Sequence, residues 1–188
     1  MIMKNIKKNS GFTLFEVLIA ILIFSIGMLG LAGLQLRAQQ ATSFAQDKTL
    51  ATLGASHLVE RMRANIAGVN AGAYAFDSAA GLPAGDAQCN TATGCNANNL
   101  AGNDLREWIL TLNQSIPLLN AALAFNANAN VRVCIDSTPD SATPANPGAG
   151  INCDGLLGQW TIYIDWVEQR EDRDNNLQNY RQTFTFTP

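Results

Sequence analysis

Charge is scarce in this 188-residue chain, and histidine is nearly absent. Only 14% of residues are Asp, Glu, Lys or Arg against 47% hydrophobic ones, and the one His is His57. A disordered chain has the opposite balance, so intrinsic disorder is excluded. Twelve basic residues do not outnumber fifteen acidic ones, and a net charge of -3 gives no bulk attraction for a polyanion, so no nucleic-acid partner is expected. Phosphate loop, nucleophile elbow and metalloprotease helix are all missing. The serines have only His57 as a base, and no Cys pair has the C-x2-C spacing of a zinc site. The chain is therefore read as having no catalytic residues, no metal and no cofactor.

The little charge present is unevenly placed. Lys4, Lys7 and Lys8 fall in the first eight residues, and removal of Met1 to Gly11 leaves nine basic and fifteen acidic residues, a net of -6. Behind the lysines, Val17 to Leu34 is uncharged, and Phe12 to Leu36 contains only Glu16. About 20 apolar residues at ~1.5 Å rise cross ~30 Å of hydrocarbon, so this run is long enough to span a bilayer. Basic residues before it predict a cytoplasmic N-terminus and a body on the far side. A cleaved secretory signal has a shorter apolar core, and Gln35 to Gln40 continues as helix former, so the run reads as a retained anchor.

Glu16 breaks the apolar run near its start. An ionised carboxylate costs ~2.5–3.5 kcal/mol at a membrane helix centre and less near an end, so an acid here marks either a function or a side chain snorkelling to the headgroups. Ser10-Gly11 followed by Phe12-Thr13-Leu14-Phe15-Glu16-Val17-Leu18-Ile19-Ala20, after a short basic leader, closely resembles the class III signal of type IV prepilins. The resemblance implies that a prepilin peptidase cuts after Gly11 on the cytoplasmic face and methylates the new terminal Phe12. It also gives Glu16 the place of the family's intramembrane acid. There it would pair with the free amine of a neighbouring subunit and set the register between subunits. Phe15 replaces the commoner Ile or Leu, a conservative change.

The helix is expected to continue past the membrane. Ala51, Ala55, Leu58, Met62 and Ile66 recur at helical spacing, while Asp47, Lys48, Glu60, Arg61 and Arg63 lie off that stripe. One helix from about Phe12 to about Ile66 follows, with Gly27, Gly30 and Gly33 as a weak point or as a packing face. Major pilins carry a helix-breaking Pro where this chain has Gly33. Gly68 to Gly102, rich in Ala, Gly and Asn, reads as a long loop. A helix then begins near Asn103 or Asp104, carries Leu105, Trp108, Ile109, Leu112 and Ile116 on one face, and stops at Pro117. After Leu118 to Phe125 the period becomes two: Val131, Val133, Ile135; Trp160, Ile162, Ile164, Trp166; Tyr180, Phe184, Phe186. Three antiparallel strands, one face burying the amphipathic half of the long helix, make an α+β fold.

That order resembles a pilin, with a spine, a variable loop and an antiparallel sheet. More narrowly, Gly27 to Gln35, Leu58 to Asn65 and the Trp160 to Glu168 strand look like the PilV-type minor pilins, or pilus modification proteins. The resemblance divides the chain into a cleaved leader (1–11), a membrane or filament-core half of the helix (12–36), an amphipathic half (37–66) and a globular head (67–188). It implies a minor pilin, first in the bacterial inner membrane with a periplasmic head and then in an extracellular pilus near the tip. Its partners would be the prepilin peptidase, other minor pilins, the major pilin and a tip adhesin, in support of assembly, twitching motility or adhesion. A minor pseudopilin of type II secretion shares the same N-terminal logic. From a different class, a membrane-tethered periplasmic binding module would show no processing at Gly11.

Four cysteines in an extracytoplasmic head favour two disulfides among three connectivities. Cys89-x5-Cys95 bounds a Gly-containing loop and Cys134-x18-Cys153 brackets a Pro/Gly-rich excursion, so local pairing is expected. His57 is read as a solvated or capping residue. Asp172-x-Asp174-Asn175-Asn176 offers oxygens to calcium but lacks the Gly and the twelfth-position acid of an EF-hand, so a solvated hairpin turn is expected.

Overall fold

A computed structural model describes residues 13–140, 144, 146–156, 158–171 and 177–188. Gly11, Phe12 and the leader lysines lie outside these residues, as does the Asp172 to Asn176 turn. The chain divides into two compact units, Met1–Thr42 and Ser43–Pro188. Helix α1, Leu14–Ala64, supplies Leu14 to Thr42 to the first and Ser43 to Ala64 to the second.

No proline interrupts the α1 sequence, and arginines 61 and 63 in its last turn complement the carbonyl end of the helix. It stops two residues short of the expected Ile66. Asn65 leaves helical geometry at φ −119° and ψ 58°, and its side-chain carbonyl accepts a bond from the Gly68 amide at 3.2 Å, starting the short helix α2, Ile66–Asn70. Ala51, Ala55, Leu58 and Met62 are fully buried, whereas Ile66, displaced by the break, is 43% exposed.

The expected long loop contains structure. Behind α2 comes β1, Phe76–Asp77, then two 3-10 turns at Ser78–Ala80 and Ala87–Asn90, each opened by an Asp that caps its first amides. Helix α3, Ala97–Asn113, begins six residues before the expected Asn103, because the Asn96 side chain accepts a 2.8 Å bond from the Asn99 amide. It ends at Asn113 rather than Pro117. The Asn113 Oδ1 turns back to take the Leu118 and Leu119 amides at 2.5 and 2.6 Å, substituting for the next helical turn.

The sheet has four strands, not three, in the order β1-β2-β3-β4 and antiparallel throughout: β1, β2 (Ala129–Ile135), β3 (Trp160–Glu171) and β4 (Leu177–Phe186). The register aligns Val131 with Ile164 and Val133 with Ile162, then Ile162 with Phe184 and Trp166 with Tyr180. Successive side chains alternate between faces, so these residues form one apolar face. It shares a single core with Ala51, Ala55, Leu58 and Met62 of α1 and Leu105, Trp108, Ile109 and Leu112 of α3. Helices on one face of an antiparallel sheet make the α+β fold.

Candidate functional site: the N-terminal helix and its head

The first functional element is the start of α1. The Thr13 carbonyl accepts from the Glu16 and Val17 amides at 3.1 and 3.3 Å, and its Oγ1 accepts from the Glu16 amide at 3.3 Å, so Thr13 caps the helix. From there to Leu36 the large apolar side chains are open to the surroundings: Leu14 is 79% exposed and Leu29 75%. The segment is long and apolar enough to cross a membrane, and none of its most apolar stretch is buried within the protein. Such an apolar surface is not stable in water and must be covered by lipid or by other helices. Glu16, Ala20 and Phe24 succeed one another at four-residue steps and line one apolar hollow with Val17 and Ile21. Among the described residues the Glu16 carboxylate has no cationic partner. Gly27, Gly30 and Gly33 have open space where a Cβ would stand.

In the head, α1 and α3 meet at Gly54. The Trp108 indole donates to the Gly54 carbonyl at 2.7 Å, and a Cβ on Gly54 would stand 2.7 Å from a Leu112 methyl. The bare backbone of Gly54 thus lies against the Trp108 indole and the end of the Leu112 side chain. At the end of α1, the Arg61 guanidinium lies 3.0 Å from both Asp104 and Glu107, while the Tyr74 hydroxyl donates to Asp104 at 2.5 Å. Burial first, then the bond to Asp104, pushes the Tyr74 phenol above its ordinary pKa. Nothing in the hydrophobic spacing marked Gly54, Asn65 or Tyr74; an isolated Gly in a helical pattern was the one available signal.

The second face of the sheet is polar yet buried. Asp165 on β3 and Arg181 on β4 face each other and form a two-bond ion pair at 2.8 Å, with exposures of 0% and 2%. Its cover is the segment between β2 and β3: the Gly148 amide donates to Asp165 at 2.7 Å, and Arg181 donates to the Ala149 carbonyl at 2.7 Å. The hydrogen bonds to Asp165 raise the Arg181 pKa further, so the guanidinium stays charged. Nearby the Tyr163 hydroxyl donates to Asp136 at 2.5 Å and accepts from the Asp140 amide at 3.1 Å. Burial first and then the bond to Asp136 hold that phenol high as well. Arg132 reaches across to Asp77 at 2.8 Å and to the Ile151 carbonyl at 3.1 Å.

Disulfides join Cys89 to Cys95 and Cys134 to Cys153. The second anchors the polar cover to β2. Cys134, Asp136 and Cys153 bring three ligand atoms within 4.8 Å, but both sulfurs are spent in the disulfide and Asp136 is held by Tyr163 and the Thr138 amide. His57 is exposed and lines a shallow groove of about 180 Å³ with Trp108, Leu112 and Ser115. Among the described residues no hydrogen bond joins His57 to a serine, and no carboxylate orients its ring.

Comparison with known proteins agrees with this architecture. Residues 6–32 match the family model for the prokaryotic N-terminal methylation motif, and residues 33–106 match that for type IV pilin Tt1218. No curated protein and no solved structure matches the chain. The two adjoining matches together take in residues 6–106, more than half of the 188. With that motif match running into the exposed apolar helix, and a helix-on-sheet head behind it, the chain belongs to the type IV pilins and is a component of a pilus or a pseudopilus.

Proposed function

We propose that the chain is a PilV-type minor pilin of a type IV pilus. Residues 1–11 are the leader removed by the prepilin peptidase after Gly11, and Phe12 is the residue methylated. Residues 12–36 hold the protein in the bacterial inner membrane and later lie in the filament core, 37–66 carry the amphipathic half of the spine, and 67–188 form the head in the periplasm. The observation that carries the reading is the exposed apolar surface of α1 from Leu14 to Leu36, which the methylation-motif match enters and in which Glu16 is the only charge. In the membrane lipid covers that surface, and in a filament neighbouring apolar helices do. Glu16 then pairs with a neighbour's Phe12 amine, which sets the step from one subunit to the next.

Intact-mass measurement of the protein from its host tests the first step: a chain beginning at methylated Phe12 is expected, and one retaining the lysine leader rejects it. The same measurement separates a pilin from a tethered binding module. Deleting the gene then separates a pilus from a pseudopilus. Loss of piliation or twitching with normal enzyme secretion is expected, and a secretion defect with normal pili rejects the pilus assignment.

A further inference from the structure

The polar face of the sheet holds a second group of chemistry beside the Asp165–Arg181 pair. Cys134 and Asp136 stand two residues apart at the end of β2, so their side chains lie on the same side, and Cys153 comes to them from the β2–β3 segment. Their ligating atoms, two sulfurs and a carboxylate oxygen, all fall within 4.8 Å of one another. In the finished fold the sulfurs are joined. Every cysteine leaves the ribosome as a thiol, however, and stays one in a reducing cytosol, so each chain passes through a state in which both sulfurs are free.

Contacts other than the disulfide hold the three donors in place. Cys134 is fixed by its pairing with Thr161 of β3. On one side of Cys153 the Asn152 amide donates to Asp140 at 3.2 Å; on the other, Asp154 accepts from the Ser137 amide at 3.0 Å and the Gly155 amide donates to the Ile135 carbonyl at 3.1 Å. Asp136 takes the Thr138 amide on one carboxylate oxygen and the Tyr163 hydroxyl on the other. Each oxygen keeps a lone pair for a cation, and the two bonds orient the carboxylate as outer partners orient a metal ligand.

The group also lacks a positive charge. Asp136 is 0% exposed, yet among the described residues it makes no ion pair. A buried carboxylate without a cation is costly. Thr161, directly opposite Cys134 and fully buried, has a hydroxyl with no hydrogen-bond partner among the described residues. Two thiolates with one carboxylate suit zinc, whereas calcium and magnesium take oxygen donors.

We propose that, before the Cys134–Cys153 bond forms, Cys134, Cys153 and Asp136 bind one Zn2+ ion. The two thiols give their protons to water as the Zn–S bonds form, and water or the Thr161 hydroxyl fills the fourth position. The ion then fastens the β2–β3 segment at the point where the disulfide later does. A disulfide-bearing thiol oxidase ends this state by exchange: one thiolate attacks the oxidase disulfide, and the other displaces the oxidase from the mixed disulfide. The oxidase leaves as a dithiol with two electrons and two protons, and Zn2+ returns to solution. No cysteine spacing in the sequence marks the site, because strand and segment pairing brings its donors together. It lies wholly in the head, goes beyond the filament assignment and does not rest on it.

The test uses the full chain in detergent with Cys89→Ser/Cys95→Ser, so that one pair of thiols remains, and Zn2+ alone as the probe. After reduction by a phosphine and its removal, one Zn2+ per chain is expected with a Kd of about a micromolar or tighter, and none on the oxidised chain. Asp136→Asn, its folding checked by the melting of its oxidised form, should weaken binding about tenfold or more. Cadmium-113 NMR with Asp136 intact counts the donors independently of that variant, and a shift for two sulfurs with oxygen is expected. No zinc on the reduced chain, equal binding by the oxidised chain, unchanged affinity in folded Asp136→Asn, or a four-sulfur cadmium shift from an ion shared by two chains would each overturn the proposal.

Discussion

Glu16 is where substitution separates two physical roles. If its carboxylate only reaches for the headgroups, Glu16→Ala removes an expensive charge and leaves membrane residence and assembly intact. If it pairs with a neighbour's amine, processing and insertion persist while incorporation into filaments falls. Breaking a buried ion pair costs ~3–5 kcal/mol, less at a hydrated membrane edge, and ~1.4 kcal/mol already changes association tenfold. We expect at least a tenfold drop of the variant in sheared filaments at unchanged membrane level, read by quantitative immunoblot; wild-type levels in filaments would return Glu16 to a snorkelling role. Two glycines of the head make a second, purely structural contrast. At Gly54 a new Cβ meets the mobile end of Leu112, which can move aside, and Ala gains ~1 kcal/mol of helix propensity. At Gly68 it would stand 2.5 Å from Asn65 Nδ2 and 2.9 Å from the Ala97 carbonyl, inside the Asn65–Ala97 hydrogen bond. Gly54→Ala should therefore leave Tm nearly unchanged, whereas Gly68→Ala should cost ~1–3 kcal/mol and lower it by several degrees. Equal effects in thermal melts would contradict the geometry.

Among the elements, the segment between β2 and β3 depends most on its fastenings. It has little regular structure, yet it covers Asp165, Arg181 and Tyr163 through the Cys134–Cys153 bridge and a set of polar contacts. The Cys89–Cys95 bridge closes a separation of 6 residues in the exposed turn before α3, against 19 for the other pair. Chain entropy favours the longer closure by about 1 kcal/mol, and its hold on the segment that covers the ion pair adds to this. Cys134→Ala/Cys153→Ala should thus lower Tm more than Cys89→Ala/Cys95→Ala, and the reverse order would refute the argument. Alkali probes the same contacts. Unfolded tyrosines lose their protons near pH ~10, but Tyr74 and Tyr163 are held above that by burial and by donation to Asp104 and Asp136. Their stabilisation is full below about pH 10 and declines as pH rises toward the folded values. Phenolate absorbance should accordingly show both rings silent at pH ~10.5 in the native chain and ionised once it is denatured. Two elements escaped the sequence for identifiable reasons. β1 is two residues long and has no period to detect, and the first turn of α3 is rich in Asn, a poor helix former that becomes favourable only as the cap at Asn96.

For the whole molecule, the proposed cleavage after Gly11 would decide where the protein can go. Gly11→Val puts a branched side chain at the proposed cleavage position, where the peptidase must approach the backbone closely. The leader should then remain, and Lys4, Lys7 and Lys8 should keep the N-terminus at the cytoplasmic face, since charged ammonium groups are costly in an apolar core. Recovery of a chain beginning at Phe12 from that variant would sink the cleavage assignment. The sequence by itself determined the parts whose signals are local and periodic: the uncharged run behind the lysines, the methylation motif, the Ala51–Met62 stripe and the three long strands. What covers the polar face of the sheet was decided only by tertiary structure. Asp165 and Arg181 lie sixteen positions apart and look like ordinary exposed alternation until pairing sets them face to face and the β2–β3 segment closes over them. The same holds for Gly54, whose carbonyl takes the indole bond of Trp108, more than fifty residues later, only once α1 and α3 have packed. Periodicity records which side of its own element a residue lies on; which other element comes to cover that side depends on contacts distant in the chain, and these have no local signature.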